Sequence, residues 1–144
     1  MGSIDLKTVS AVTIHGVLEK YLIDSEIEDD GEIAVDESAR FFIKIDSESR
    51  LLTFYTNIKL TDKNSVPLDI LSTFVSRLNI VSDSVRFSFF DEKTIHCDSS
   101  IPLDGSIDDT FFIRLVKNIQ KNLVSAQSLS NDIPHFISQT NNPD

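Results

Sequence analysis

Three histidines and one cysteine are the side chains best suited to catalysis or metal binding in this 144-residue chain. His15, His96 and His135 are far apart in sequence, and none forms an HExxH, an HxH or a His–Cys pair at the spacing of metal ligands. His96 and Cys97 are adjacent, which would suit a cysteine nucleophile beside its base. They fall in a predicted strand, however, where neighbouring side chains point to opposite faces of the sheet. We therefore expect Cys97 to be a small inward-facing hydrophobic residue and His96 to lie at the surface.

Two short segments have the composition of ligand-binding loops. Residues 26–32 are rich in carboxylates, but a calcium loop of the EF-hand type needs acidic residues at alternating positions between two helices. Strand-like patterns flank this segment, so we interpret it as a solvated turn. Residues 104–106 (Asp-Gly-Ser) have one glycine and no following Lys, unlike a phosphate-binding loop. We expect no catalytic residue, metal or cofactor, and we predict that the protein is not an enzyme.

The spacing of apolar residues predicts the elements that position these side chains. A period of 3.6 residues indicates a helix and a period of two indicates a strand. The predicted order is α-β-β-β-β-α-β-β-α, with an Asp-Gly turn at Gly31 between the first two strands. In chain order, the segments are a helix over 8–21, with Thr13 as an alternative cap, strands near 27, 33–35, 41–45 and 51–58, a helix over 67–79, strands over 85–89 and 95–101, and a helix over 106–126. Ser106 is the expected N-cap of the last helix, and Phe111 belongs to its apolar stripe.

These elements predict an α+β fold in which an antiparallel sheet carries the helices on one face. Residues 1–126 are expected to form a single domain. Residues 127–144 are rich in Ser, Asn, Gln and Asp and contain two prolines, so we expect a flexible polar tail with a short apolar spot at Ile133, Phe136 and Ile137.

Strand alternation also predicts which side chains lie on the sheet face opposite the core. Phe42, Lys44, Tyr55 and Phe90 fall on that face, and a contiguous group of exposed aromatic residues marks an interface. We treat these four residues as candidates for binding a partner protein. The alternative is that they pack under the tail or under the last helix.

The composition limits the function. The formal net charge of −10 argues against binding nucleic acid or an anionic membrane, because both need clustered Lys and Arg. No apolar run has the roughly 18 residues that a membrane-spanning helix requires. One cysteine cannot build an intrachain disulfide framework, so a reducing cytoplasm is the expected compartment.

Several stretches resemble the YbjN family of small bacterial proteins, described as candidate sensory transduction regulators. The resemblance extends from Ile14 to Leu123 and rests on the order of the elements and on six stretches: residues 18–21, 30–35, 40–43, 51–55, 74–79 and 101–107. Ser76 and Ser106 depart from the family pattern, which often has Asn and a second Gly there. The resemblance implies a fold like that of type III secretion chaperones, which are often dimeric, hold partner segments along their surface and have no enzymatic activity.

Two hypotheses of different kinds follow. The first is a non-enzymatic, cytoplasmic protein-binding module with a regulatory or chaperone-like role, with a protein partner and a homodimer as one expected state. The alternative is a small-ligand sensor whose pocket lies between sheet and helices and is lined by some of the ten Phe residues.

Overall fold

Six antiparallel strands form the main sheet. The computed structural model of the protein describes residues 2–60 and 66–130, apart from the side chains of Phe90 and Ser130. The strands of this sheet are β2 (Ser25–Ile27), β3 (Ile33–Asp36), β4 (Arg40–Asp46), β5 (Leu51–Lys59), β6 (Arg86–Asp91) and β7 (Thr94–Pro102). Their order across the sheet is β2-β3-β4-β5-β7-β6, so the β6–β7 hairpin places its second strand beside β5.

The three helices all pack on one face of this sheet, which confirms the predicted α+β class. They are α1 (Ala11–Lys20), α2 (Leu68–Val81) and α3 (Asp109–Ser130). Each helix contributes buried residues to a single core that also contains the inward residues of the strands, among them Phe41, Phe54 and Cys97. The rings of Phe54 and Phe112 lie 6.1 Å apart, centroid to centroid, and join β5 to α3. We call the helix-covered side the inner face and the opposite side the outer face.

Alternation along the strands follows the sequence pattern closely. In β5, every second residue from Leu52 to Ile58 is buried, and the residues between them are half-buried or exposed. Thr56 is the polar member of the buried set, and its hydroxyl donates a hydrogen bond to the backbone oxygen of Arg40 at 3.0 Å. The predicted Asp-Gly turn is also present. Gly31 has a φ of 87°, a backbone conformation that glycine adopts at little cost.

A short two-stranded ribbon was missed by the sequence analysis. β1 (Ser3–Asp5) pairs with β8 (Ser106–Asp108) in antiparallel register, with Ile4 opposite Ile107. Ile4 is 1% exposed and belongs to the core, so the ribbon fastens the start of the chain to the base of α3. The backbone at Gly2 lies so close to the start of α3 that a Cβ atom on Gly2 would clash with the carboxylate of Asp109. Three-residue strands carry too little pattern to be recognised locally.

The ends and faces of two helices differ from the prediction. Ser10, not Thr13, caps α1, because the Ser10 hydroxyl accepts a hydrogen bond from the Thr13 N–H at 3.3 Å. Residues 106–108 belong to β8, so Ser106 does not cap α3. The inward stripe of α3 contains Phe112, whereas Phe111 is 53% exposed.

The last helix also runs past its predicted end. Helix α3 ends at Ser130 and not near Ala126, so residues 127–130, assigned to the tail from sequence, are helical. The rest of the predicted tail, residues 131–144, lies outside the described residues, as does its apolar spot at Ile133, Phe136 and Ile137.

Candidate functional site

Two of the four predicted surface residues meet on the outer face. Phe42 in β4 lies directly opposite Tyr55 in β5, and their rings stack with centroids 5.6 Å apart and planes 30° apart. Both side chains are half-buried. Lys44 is exposed on the same face, one outward position further along β4 and opposite Thr53. Phe90 belongs to edge strand β6, and its side chain lies outside the described part of the protein.

His96 extends this pair into a row. Its ring lies 6.4 Å from that of Tyr55, centroid to centroid, with 28° between the planes. Nδ1 of His96 is hydrogen-bonded to Asn57 Oδ1 at 2.8 Å, and Nε2 lies 3.2 Å from Asp98 Oδ2. The three stacked rings of Phe42, Tyr55 and His96, which we call the aromatic row, cross β4, β5 and β7. The sequence analysis placed His96 at the surface but did not connect it with Tyr55, because their adjacency depends on the β5–β7 pairing.

An arginine–carboxylate pair lies at each end of the aromatic row. At one end, the Arg40 guanidinium lies 5.4 Å from the centre of the Phe42 ring, and its Nη2 is 3.0 Å from Glu28 Oε1. At the other end, Nη2 of Arg86 lies 3.1 Å from Asp98 Oδ1. The row therefore places three half-buried aromatic rings between two charged borders, an arrangement that suits a ligand with both apolar and polar groups.

Tyr55 has a carboxylate partner that fixes its protonation. Its hydroxyl donates a hydrogen bond to Glu32 Oε1. Burial of the phenol raises the Tyr55 pKa, and the hydrogen bond to Glu32 and the charges of Glu32 and Asp30 raise it further. The phenol therefore remains protonated well above neutral pH and acts as a hydrogen-bond donor.

The two neighbours His96 and Cys97 point to opposite faces, as predicted. Cys97 is 1% exposed within the core on the inner face, and burial, followed by the charge of Asp98, raises its pKa to about 12. A thiol with this pKa stays protonated and is a poor nucleophile at neutral pH. Its position agrees with the role of a small core residue.

A second histidine joins a hydrogen-bonded chain that the sequence analysis missed. His15 Nδ1 lies 2.7 Å from the Ser25 hydroxyl, and His15 Nε2 lies 2.9 Å from Glu19 Oε1. Ser, His and a carboxylate are the members of a nucleophilic triad. Here the Glu19 side chain is 66% exposed, so water competes for it, and the contacts chiefly fasten α1 to edge strand β2. The spacing of His15 and Glu19 on one helix face was a usable signal, whereas Ser25 joins them only through the fold.

The acidic segment forms a turn. The backbone N–H of Gly31 donates to the backbone oxygen of Glu28 at 2.9 Å, and the backbone N–H of Glu32 donates to Asp30 Oδ1 at 2.9 Å. Over residues 2–60 and 66–130, no group of three His, Cys, Asp or Glu side chains is arranged to hold a metal ion.

Two cavities lie at the rim of the core, between helices. One of about 300 Å³ is bounded by the end of α1, the loop after β3 and helix α3, with Tyr21, Ile23, Val116 and Gln120 in its wall. Another of about 130 Å³ lies between the ends of α2 and α3 and includes Phe87. Neither cavity is the Phe-lined pocket that the ligand-sensor hypothesis placed between sheet and helices. In that part of the core, Phe54 packs against both Phe41 and Phe112.

No helix among the described residues is long and apolar enough to cross a membrane.

The fold is similar to that of a solved bacterial protein. The crystal structure of YbjN, described as "a putative transcription regulator from E. coli", superposes with a TM-score of 0.62 over 83% of this chain and 92% of the YbjN chain. The two sequences are 12% identical over this match, so the similarity establishes a YbjN-like fold. No family model and no curated protein matches the chain by sequence.

Proposed function

We propose that the protein is a non-enzymatic binding module that holds a segment of a partner protein on the outer face of its sheet. The observation that carries this proposal is the aromatic row, three stacked and partly exposed rings on the face away from the helices. Large aromatic side chains supply much of the binding energy at protein interfaces, because they bury a large area at little cost in conformational entropy.

The charged borders favour a polar, extended partner segment. Arg40 is exposed beside Phe42, and the Tyr55 hydroxyl, Asn57 and Asp98 offer hydrogen-bonding groups along the same face. Such a face combines apolar ring surfaces in the middle with polar groups at the rim, which is the usual composition of a protein–protein interface. A net charge of −10 disfavours a nucleic-acid partner.

A regulatory or chaperone-like role is the finer part of the proposal. The YbjN-like fold supports a regulatory role by analogy, although a shared fold does not fix a function. A chaperone-like role agrees with the resemblance to secretion chaperones, which hold partner segments along their surface. A reducing compartment such as the cytoplasm suits a chain with one thiol.

The test compares capture of partners by three forms of the protein. Wild type, Phe42→Ala and Phe111→Ala are immobilised and exposed to lysate of the source organism, and bound proteins are identified by mass spectrometry. Phe111 is 53% exposed on α3 and serves as the matched control, because the same side chain is removed from the opposite side of the molecule. We expect a partner that binds wild type and Phe111→Ala but binds Phe42→Ala at least about 30-fold more weakly, the loss typical of an interface hot spot. Equal capture by all three forms would contradict the proposed surface.

A ligand-sensing role has one observation in its favour, the cavity of about 300 Å³ beside Tyr21 and Gln120. A small molecule that occupies it would raise the melting temperature, because it binds only the folded state. Val116→Phe, which fills this cavity, should abolish that shift and leave capture through the outer face unchanged.

A further inference from the structure

Strand β6 forms one edge of the main sheet. It pairs with β7 on one side, and on its other side no strand pairs with it within residues 2–60 and 66–130. An edge strand presents backbone N–H and C=O groups at every second residue, and these groups can pair with a strand of another molecule. The opposite edge, β2, has three residues and offers much less length for pairing.

The carboxamide of Asn79 occupies part of this edge. Asn79 lies near the end of α2, and its Oδ1 accepts a hydrogen bond from the Phe87 N–H at 2.7 Å. Its Nδ2 donates to the Phe87 carbonyl oxygen at 2.9 Å. In an antiparallel sheet, one residue exchanges this pair of bonds with the residue opposite it on the neighbouring strand. Asn79 therefore makes with its side chain both contacts that an added strand would make at Phe87.

We infer that Asn79 acts as a strand mimic that closes the β6 edge, and that without it β6 pairs with the β6 strand of a second copy of this protein. The surroundings favour a second copy. Ile80 and Val81, next to Asn79, are 81% and 67% exposed and would contribute apolar contact area. Arg86 begins β6 and Asp91 ends it, so two antiparallel copies bring the basic end of one strand near the acidic end of the other.

This inference concerns the sheet edge and is independent of the proposed function of the outer face. It adds a reason why the outer face is the surface available to a partner. A closed edge prevents recognition by strand addition at Phe87, so the side chains of the outer face offer the larger surface for a partner segment.

The test measures the mass of Asn79→Ala by light scattering over a wide range of protein concentration. The expected result is an assembly of twice the wild-type mass at high concentration, which dissociates on dilution. In the dilute variant, we expect the Phe87 amide to exchange its hydrogen roughly tenfold faster than in wild type, because it has lost the acceptor that Asn79 provided. A wild-type mass at every concentration would overturn the inference, whatever the exchange rate.

Two control variants separate edge pairing from general destabilisation. Ser76→Ala removes an exposed side chain from the same helix, leaves Asn79 in place and should keep the wild-type mass. Adding Ser88→Lys to Asn79→Ala places a charge on the edge strand, which opposes pairing, so the double variant should return to the wild-type mass. Association of the double variant to the same degree would show that the contact is elsewhere and would overturn the inference.

If Asn79→Ala does not fold, the wild-type protein provides the decisive measurement. The side-chain amide protons of Asn79 should exchange slowly with solvent, since one of them is bound to the Phe87 carbonyl. Exchange as fast as that of the exposed Asn57 side-chain amide on β5 would refute the role of Asn79.

Discussion

Replacing the same aromatic side chain on the two faces of the sheet should have very different consequences. Phe54 points inward, is 1% exposed and contacts the rings of Phe41 and Phe112 at 6.4 and 6.1 Å, centroid to centroid. Truncating a buried Phe to Ala typically costs about 3–5 kcal/mol, since apolar transfer energy is lost and a cavity is left. We expect Phe54→Ala to reduce the free energy of unfolding by this amount.

Phe42, on the neighbouring strand, points outward and is half-buried, with Tyr55 as its stacking partner. Removing its ring loses a pair interaction of about 0.5–1.5 kcal/mol and a fraction of the burial term, without leaving an enclosed cavity. We expect Phe42→Ala to cost about 1–2 kcal/mol, at least about 1 kcal/mol less than Phe54→Ala.

Equilibrium unfolding in urea measures both values, provided that the slope with denaturant is the same in the two variants. If Phe42→Ala cost as much as Phe54→Ala, the outer face would be covered in solution. The assignment of the aromatic row to an accessible surface would then be wrong, and with it the basis of the proposed function.

Three further predictions test other parts of the structure. Ile4→Ala should lower the free energy of unfolding by about 2–4 kcal/mol in urea denaturation, because Ile4 is fully buried in the β1–β8 ribbon, and a cost below 1 kcal/mol would contradict that pairing. Ser10→Ala should cost about 1 kcal/mol in the same assay, since α1 loses the side chain that caps it, whereas Thr13→Ala should cost less. Burial raises the pKa of the Cys97 thiol from 9.0 to about 12. The stability that the buried neutral thiol contributes is therefore fully present below pH 9 and is lost as the pH rises toward 12. Melting temperatures measured over this range should fall less steeply for Cys97→Ala than for wild type.

Local sequence pattern determined most of the secondary structure. The alternation of residues 51–58 predicted β5 and its inward face, because a strand half-buried on one side requires a period of two. The Asp-Gly turn at Gly31 and the opposite orientations of His96 and Cys97 follow from equally local rules. These features depend on residues within a few positions of one another, so no knowledge of the fold was needed to predict them.

Only the tertiary structure decided which surface residues meet in the aromatic row. Phe42 and Tyr55 were placed on the same face by alternation, but their stacking depends on the β4–β5 register. His96 joins them because β7 inserts between β5 and β6, an order that strand patterns do not encode. The contacts of Asn79 with Phe87 and of Ile4 with Ile107 likewise join residues whose local patterns carry no sign of each other. The sequence by itself thus determined most of the elements and their apolar faces, whereas the pairing of strands, which is a cooperative result of packing the whole core, determined the aromatic row.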